Sequence, residues 1–223
     1  MVTRKNVLSF IENGENLNVE FKQRFSSFEK IAKEIIAFAN TKGGFIIFGV
    51  EDDKKIYGVE SEKGETELIY KTATQYCNPP IDINFYYFNI ENRELVVVEI
   101  PESQSKPHRI EDYKERLDPN FAEVYIRVED KSIPASKEMI KILQAETNDL
   151  TLVNYTIGEN ERATFQFLDK HEFITVKDLC ECANISKRRA SRTLIKMVRA
   201  GLLFIHSKDN GENFFTNSGY RQN

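Results

Sequence analysis

Residues 27–50 read SFEKIAKEIIAFANTKGGFIIFGV, and this stretch decides the fold of the first half of the chain. Ser27 is a good helix cap, because its hydroxyl can accept one of the orphaned N–H groups of a first turn. Phe28, Ile31, Ala32, Ile35, Phe38 and Ala39 then recur at helical spacing, with Glu29, Lys30, Lys33 and Glu34 on the opposite side. That pattern predicts an amphipathic helix with one face in a core. Asn40-Thr41-Lys42-Gly43-Gly44 stops it, since glycine adopts the left-handed cap conformation without a steric penalty. Phe45-Ile46-Ile47-Phe48-Gly49-Val50 follows without alternation, as expected of a strand buried on both faces.

Outward from this unit, helix and strand patterns continue to alternate. Upstream, Lys5–Ile11 suits a short helix, and Val19-Glu20-Phe21-Lys22 alternates apolar and charged as a half-buried strand does. Downstream, a polar turn at 51–55 leads to an expected strand at Ile56–Val59. A helix over Glu65–Cys77 is halted by Asn78-Pro79-Pro80. Strands are expected at Ile81–Ile90 and Glu94–Ile100, with a tight turn at Asn92 and Arg93. The proline-bearing segment 101–120 reads as loop. Ala122–Val128 is expected as a strand with Val124, Ile126 and Val128 on one face, and Ser136 caps a helix over Lys137–Gln144. This order predicts an α+β fold, an α/β domain with a mixed sheet over residues 1–148. Residues 149–158 lack periodicity and are expected to link it to a second domain, 159–223.

The second domain has a different grammar. Helices are expected over Glu161–Lys170 and Val176–Cys182, the latter capped by Thr175. Ser186 caps a third, in the segment SKRRASRTLIKMVRA of residues 186–200. Leu202–His206 and Asn213–Thr216 flank Asn210-Gly211, a dipeptide that favours a tight hairpin. Three helices followed by a hairpin predict a winged helix-turn-helix. Within the third helix, Ala190, Leu194 and Met197, with Ile195 and Val198, form a packing face. Ser186, Lys187, Arg188, Arg189 and Arg192 fall where a recognition helix meets base edges, and Lys196 extends the basic face. Arginine suits guanine edges and phosphates because its planar fork donates bidentate hydrogen bonds. Lys208, in the hairpin, is expected to reach the adjacent backbone.

Composition bounds the rest. The 223 residues carry a net charge of −4, but residues 1–148 sum to −6 and 149–223 to +2, so the basic helix stands against the whole-molecule balance. A local field of that sign suits DNA, with RNA also open. No apolar run is long enough for a membrane span. Neither a secretory h-region nor a cysteine framework is visible, which makes reduced thiols and a cytoplasmic location the expectation. Cys180 and Cys182, with His171, lack zinc spacing, and Gly43-Gly44 lacks phosphate-loop spacing.

Three blocks in the first domain are more specific: Glu15–Lys22, Ile35–Gly44 and Ile46–Asp52. Gly58-Val59, Pro79-Pro80-Ile81, Val124-Tyr125-Ile126-Arg127, Ser132 and Pro134-Ala135-Ser136 follow in order. Together they resemble the Schlafen-type Alba-like domain over roughly residues 12–146. The resemblance implies an α/β nucleic-acid-binding domain. It also implies, from animal members in which paired lobes cleave structured RNA, three metal-binding acids at positions matching Glu15, Glu20, and Glu51 or Asp52. A single lobe here leads us to expect a homodimer. Residues 159–216 resemble, by pattern, the winged-helix modules of bacterial transcription regulators.

Two readings of the acids stand side by side. Glu15, Glu20 and Asp52 (or Glu51) could hold Mg²⁺ or Mn²⁺ and activate water, with Lys22 countering charge on phosphate. Alternatively, acids after a strand are a polar turn. The expectation is a DNA-binding transcriptional regulator that needs no cofactor and has no catalytic residues. The alternatives are a metal-dependent nuclease and a non-catalytic protein-interaction module.

Overall fold

A computed structural model describes residues 2–147 and 155–219, so most of the expected linker lies outside the described residues. The chain forms two compact units, residues 1–134 and 135–223. Among the described residues no helix is long and apolar enough to cross a membrane.

The first unit is built from α1 (Arg4–Asn13), β1 (Val19–Lys22), α2 (Phe28–Asn40), β2 (Gly44–Phe48), α3 (Glu62–Lys71), β3 (Cys77–Asn78), β4 (Asn84–Ile90), β5 (Arg93–Ile100), β6 (Arg109–Ile110), β7 (Tyr125–Val128) and β8 (Lys131–Pro134). Its main sheet has the order β1-β2-β5-β4. β1 runs parallel to β2, and the other pairs are antiparallel, so the sheet is mixed as expected. β2 lies inside this sheet and is covered on both faces. Ile46 and Phe48 pack with α2, whereas Ile47 packs with Val7 and Ile11 of α1. That explains an apolar run without alternation. Ser27 caps α2 by accepting the Lys30 N–H, and Gly43 (φ +69°) ends the turn with its N–H on the Phe38 carbonyl. A Cβ on Gly44 would come within 2.5 Å of the Phe38 ring, so close packing as well as the cap requires the glycine pair.

The structure corrects several elements. Ile56–Val59 is not a strand; Ile56 makes an isolated bridge to Val50. The third helix starts at Glu62 and ends in a π turn over Thr72–Tyr76, and Cys77 is already extended. The β4–β5 hairpin turns at Glu91 and Asn92, both at positive φ, which pairs Ile90 with Arg93. The 101–120 segment holds β6, paired with β3. β7 is buried on both faces, not one, because Tyr125 and Arg127 are covered as fully as Val124 and Ile126. Its partner β8, short and ending in proline, carries too weak a pattern to predict.

The second unit begins with α4 (Lys137–Thr147), followed by α5 (Glu159–Leu168), α6 (Val176–Cys182), α7 (Lys187–Arg199), β9 (Leu203–Ser207) and β10 (Asn213–Asn217). The expected boundary at 148 assigned α4 to the first domain. Here Ser191 of α7 donates to Glu138 of α4 at 2.7 Å, so the helix belongs to the second unit. The unit's core joins Leu179, Ala190, Leu194, Met197, Leu203 and Phe215. Ile174, just before α6, bridges Phe215 of β10 and adds a short third edge to the hairpin.

Because residues 1–134 hold a complete two-sided core, a fragment of residues 1–136 is expected to fold alone with one cooperative transition. A fragment lacking a cooperative urea transition by circular dichroism would show that core to be incomplete.

Candidate functional site

In the first unit, β1 is a sheet edge, and edges leave backbone groups unpaired. Glu15 meets one of them: its carboxylate accepts the Phe21 N–H at 2.8 Å. Burial is the chief cause of an upward shift in its pKa, opposed by that hydrogen bond and reinforced by the charges of Glu20 and Asp52. Glu20, one residue before Phe21, points to the α2 side. One of its oxygens pairs with Lys22 and the other accepts from Arg127 at 2.9 Å.

Arg127 organises this face. Its side chain is 1% exposed, on β7. The same Nη1 reaches Glu34 of α2 at 3.3 Å and Ser132 of β8 at 3.2 Å, while Nη2 donates to the Asn16 carbonyl at 2.8 Å. Its guanidinium lies 4.5 Å from the centroid of the Phe38 ring. Ser132 in turn donates to Glu34. Asn40, which the sequence marks only as a helix end, uses its side-chain amide to bond the backbone of both His108 and Tyr125.

The hydrogen bonds of the acids expected to converge go to different partners, Glu15 to the strand edge and Glu20 to Arg127 and Lys22, while Glu15 stays near enough to Glu20 and Asp52 to feel their charge. Asp52 is exposed in the turn between β2 and Ile56, beside half-buried Glu51. Lys54 of that turn donates to the Glu12 carbonyl of α1. Among the described residues no three His, Cys, Asp or Glu side chains form a group able to hold a metal ion. Arg127, Glu34 and Ser132 were not assigned roles by the sequence pattern, and they are the centre of this network.

Glu34 carries a pH signature. Burial, then the charge of Glu20, raises its pKa, against the hydrogen bond from Ser132 and the charges of Lys22 and Arg127. A carboxyl raised in the folded state binds more protons folded than unfolded, so ionising it lowers stability as pH rises above about 4.5. Replacing Glu34 with Gln removes that contribution. The urea midpoint of the variant, relative to the parent, is therefore expected to move in the variant's favour between weakly acid and neutral pH. A difference that stays flat or moves the other way would contradict the assignment.

In the second unit, Ser186 caps α7 by accepting the Arg189 N–H. The expected packing face is buried: Ala190, Leu194, Ile195 and Met197, joined by Ser191 and Thr193. Lys187, Arg188, Arg189, Arg192 and Lys196 are exposed. Among the described residues none of these five takes part in an ion pair. A groove of about 690 Å³ runs between α7 and the start of α5, lined by Arg188, Arg189, Arg192 and Lys196 on one side and by Gly158, Glu159, Asn160 and Glu161 on the other. Lys208 does not line this groove. It sits at the hairpin turn, its ammonium 5.6 Å from the Phe173 ring.

The first turn of α7 holds three cations and no acid. A helix N-terminus is itself positive, so each such cation costs local stability unless an anion neutralises it. The sequence accepts that cost at this end of α7 while keeping the opposite face apolar.

Similar proteins share parts of this chain. An uncharacterised ATP-binding protein of Ureaplasma parvum is 33% identical over 103 residues, which is 41% of this chain and 29% of that protein. The chain therefore spans less than a third of that relative's length. Two solved structures are similar at low identity. The N-terminal domain of an ATP-dependent DNA helicase RecG-related protein from Nitrosomonas europaea has a TM-score of 0.44 at 21% identity, covering 52% of this chain and 84% of that one. The DIP2311 protein from Corynebacterium diphtheriae has a TM-score of 0.45 at 14% identity, covering 98% of this chain and 35% of that one. The family model for Schlafen, AlbA_2 matches residues 15–136, more than half of the chain and nearly all of the first unit, and the chain belongs to that family.

Proposed function

We propose that this protein is a DNA-binding transcriptional regulator of bacterial type, whose second unit is a winged helix-turn-helix that docks α7 against duplex DNA. The observation that carries the reading is the exposed row Lys187, Arg188, Arg189, Arg192 and Lys196 on a helix without acids, its first three members set on the positive end of that helix. Those three are disfavoured without an anion, and the row as a whole is well matched to a phosphate backbone. The α5–α6–α7 order, the β9–β10 hairpin and the Ile174 bridge to Phe215 support the winged form. Membership of the Schlafen, AlbA_2 family supports a nucleic-acid partner for the first unit as well.

The nuclease alternative lacks comparable support, because both oxygens of Glu20 already serve Lys22 and Arg127. A cytoplasmic homodimer completes the reading. Two copies would present two α7 helices to two half-sites. The test is a duplex-DNA titration at increasing salt, alongside sedimentation of the free protein. The logarithm of affinity is expected to fall linearly with the logarithm of salt, and the protein to sediment as a dimer. Duplex binding that ignores salt, or no duplex binding at all, would overturn the DNA reading. A strict monomer would overturn the dimer alone.

A further inference from the structure

The hairpin carries a second exposed surface, of which the DNA-docking reading uses only Lys208. Alternation along β9 turns Leu203 and Ile205 inward, while Phe204 and His206 face outward. On β10, Phe215 is fully buried, so Phe214 and Thr216 share the outer face. Register places His206 opposite Phe214 and Phe204 opposite Thr216. Phe173 joins them, because Ile174 bridges Phe215.

These side chains already form a short stack. The His206 and Phe214 rings lie 4.9 Å apart at 16°, and Phe173 meets Phe214 edge-on at 5.4 Å. His206 is pinned by a 2.9 Å hydrogen bond with Thr216. The Lys208 ammonium sits 5.6 Å from the Phe173 ring and 6.0 Å from that of Phe214. Phe204 is 57% exposed and Phe173 41% exposed. The described residues named on this face thus offer rings, a hydroxyl and a cation. An aliphatic patch would fit a helix of a partner protein. Flat rings beside an ammonium instead match flat bases joined by phosphates.

We infer that the outer face of the β9–β10 hairpin is a stacking platform for unpaired bases of single-stranded nucleic acid. It rests on the nucleic-acid reading of the chain but uses a face different from the basic side of α7. Phe204 and the open side of His206 would stack bases, and Lys208 would hold an adjoining phosphate. Binding of this kind is tolerant of sequence, because every base presents a π face. The platform would engage DNA only where strands are separated.

The experiment is fluorescence anisotropy of the full chain with a labelled oligothymidine and, separately, a duplex of the same length. The parent is expected to bind both. Phe204→Ala should weaken oligothymidine binding by roughly tenfold and leave duplex binding unchanged. Phe204→Tyr keeps a ring and should bind like the parent, which separates lost stacking from lost folding. Duplex binding without oligothymidine binding would overturn the platform and leave the proposed function standing. Loss of both in the parent would overturn the proposed function itself. If Phe204→Ala leaves oligothymidine binding intact but converts a dimer to a monomer, the face is an interface between copies and the platform is overturned.

Discussion

Replacing Arg127 with Leu is expected to lower the unfolding free energy of the first unit by about 3–5 kcal/mol. The side chain is almost fully buried and holds Glu20, itself only 9% exposed, together with Glu34 and the Asn16 carbonyl. Leucine fills part of the volume but leaves the Glu20 carboxylate buried without its main countercharge. Removing one partner of such a pair costs far more than removing both, because the remaining charge has lost its water as well. The variant Arg127→Leu combined with Glu20→Gln should therefore be more stable than Arg127→Leu alone. Urea unfolding followed by circular dichroism measures both. A single variant within about 1 kcal/mol of the parent, the usual worth of an exposed pair, would show the network to be solvated and dispensable.

The second large effect is expected at α7, where stability and binding should move in opposite directions. Exchange of Arg188, Arg189 and Arg192 for Ala removes cations from the positive end of a helix and adds a residue of higher helix propensity. Melting is expected to be unchanged or slightly improved, by about 0.3–1 kcal/mol for each first-turn cation removed. Duplex affinity should fall by about 1–3 kcal/mol for each arginine that reads a base, and the salt dependence should flatten as phosphate contacts are lost. Thermal unfolding and salt-titrated anisotropy on the same preparation separate the two. Equal affinity of parent and variant across salt would remove α7 from the interface. A variant that binds poorly because it has unfolded would refute the claim that these arginines oppose the helix.

The sequence by itself determined what depends on neighbours along the chain. The stripe over residues 28–39, the Gly43-Gly44 stop and the unbroken run after it specify α2 and β2, because periodicity and caps are local properties. The basic face of α7 and its apolar back were equally legible, since one helix carries both. Family blocks within residues 15–136 pointed to the first unit. Only the tertiary structure decided the rest. Arg127 sits in an alternating strand and reads as outward-facing, yet its partners Glu20 and Glu34 lie 107 and 93 residues away in sequence. No local pattern encodes such a meeting. The same holds for α4, whose amphipathic pattern does not say which unit it joins, and for the acids at Glu15, Glu20 and Asp52. The family resemblance implied a common site for them; which groups they bond, Arg127 and Lys22 for Glu20 and the Phe21 N–H for Glu15, is a matter of packing. Sequence specifies which face of an element is apolar; which distant element covers that face, and which charges are buried with it, follows from three-dimensional packing alone.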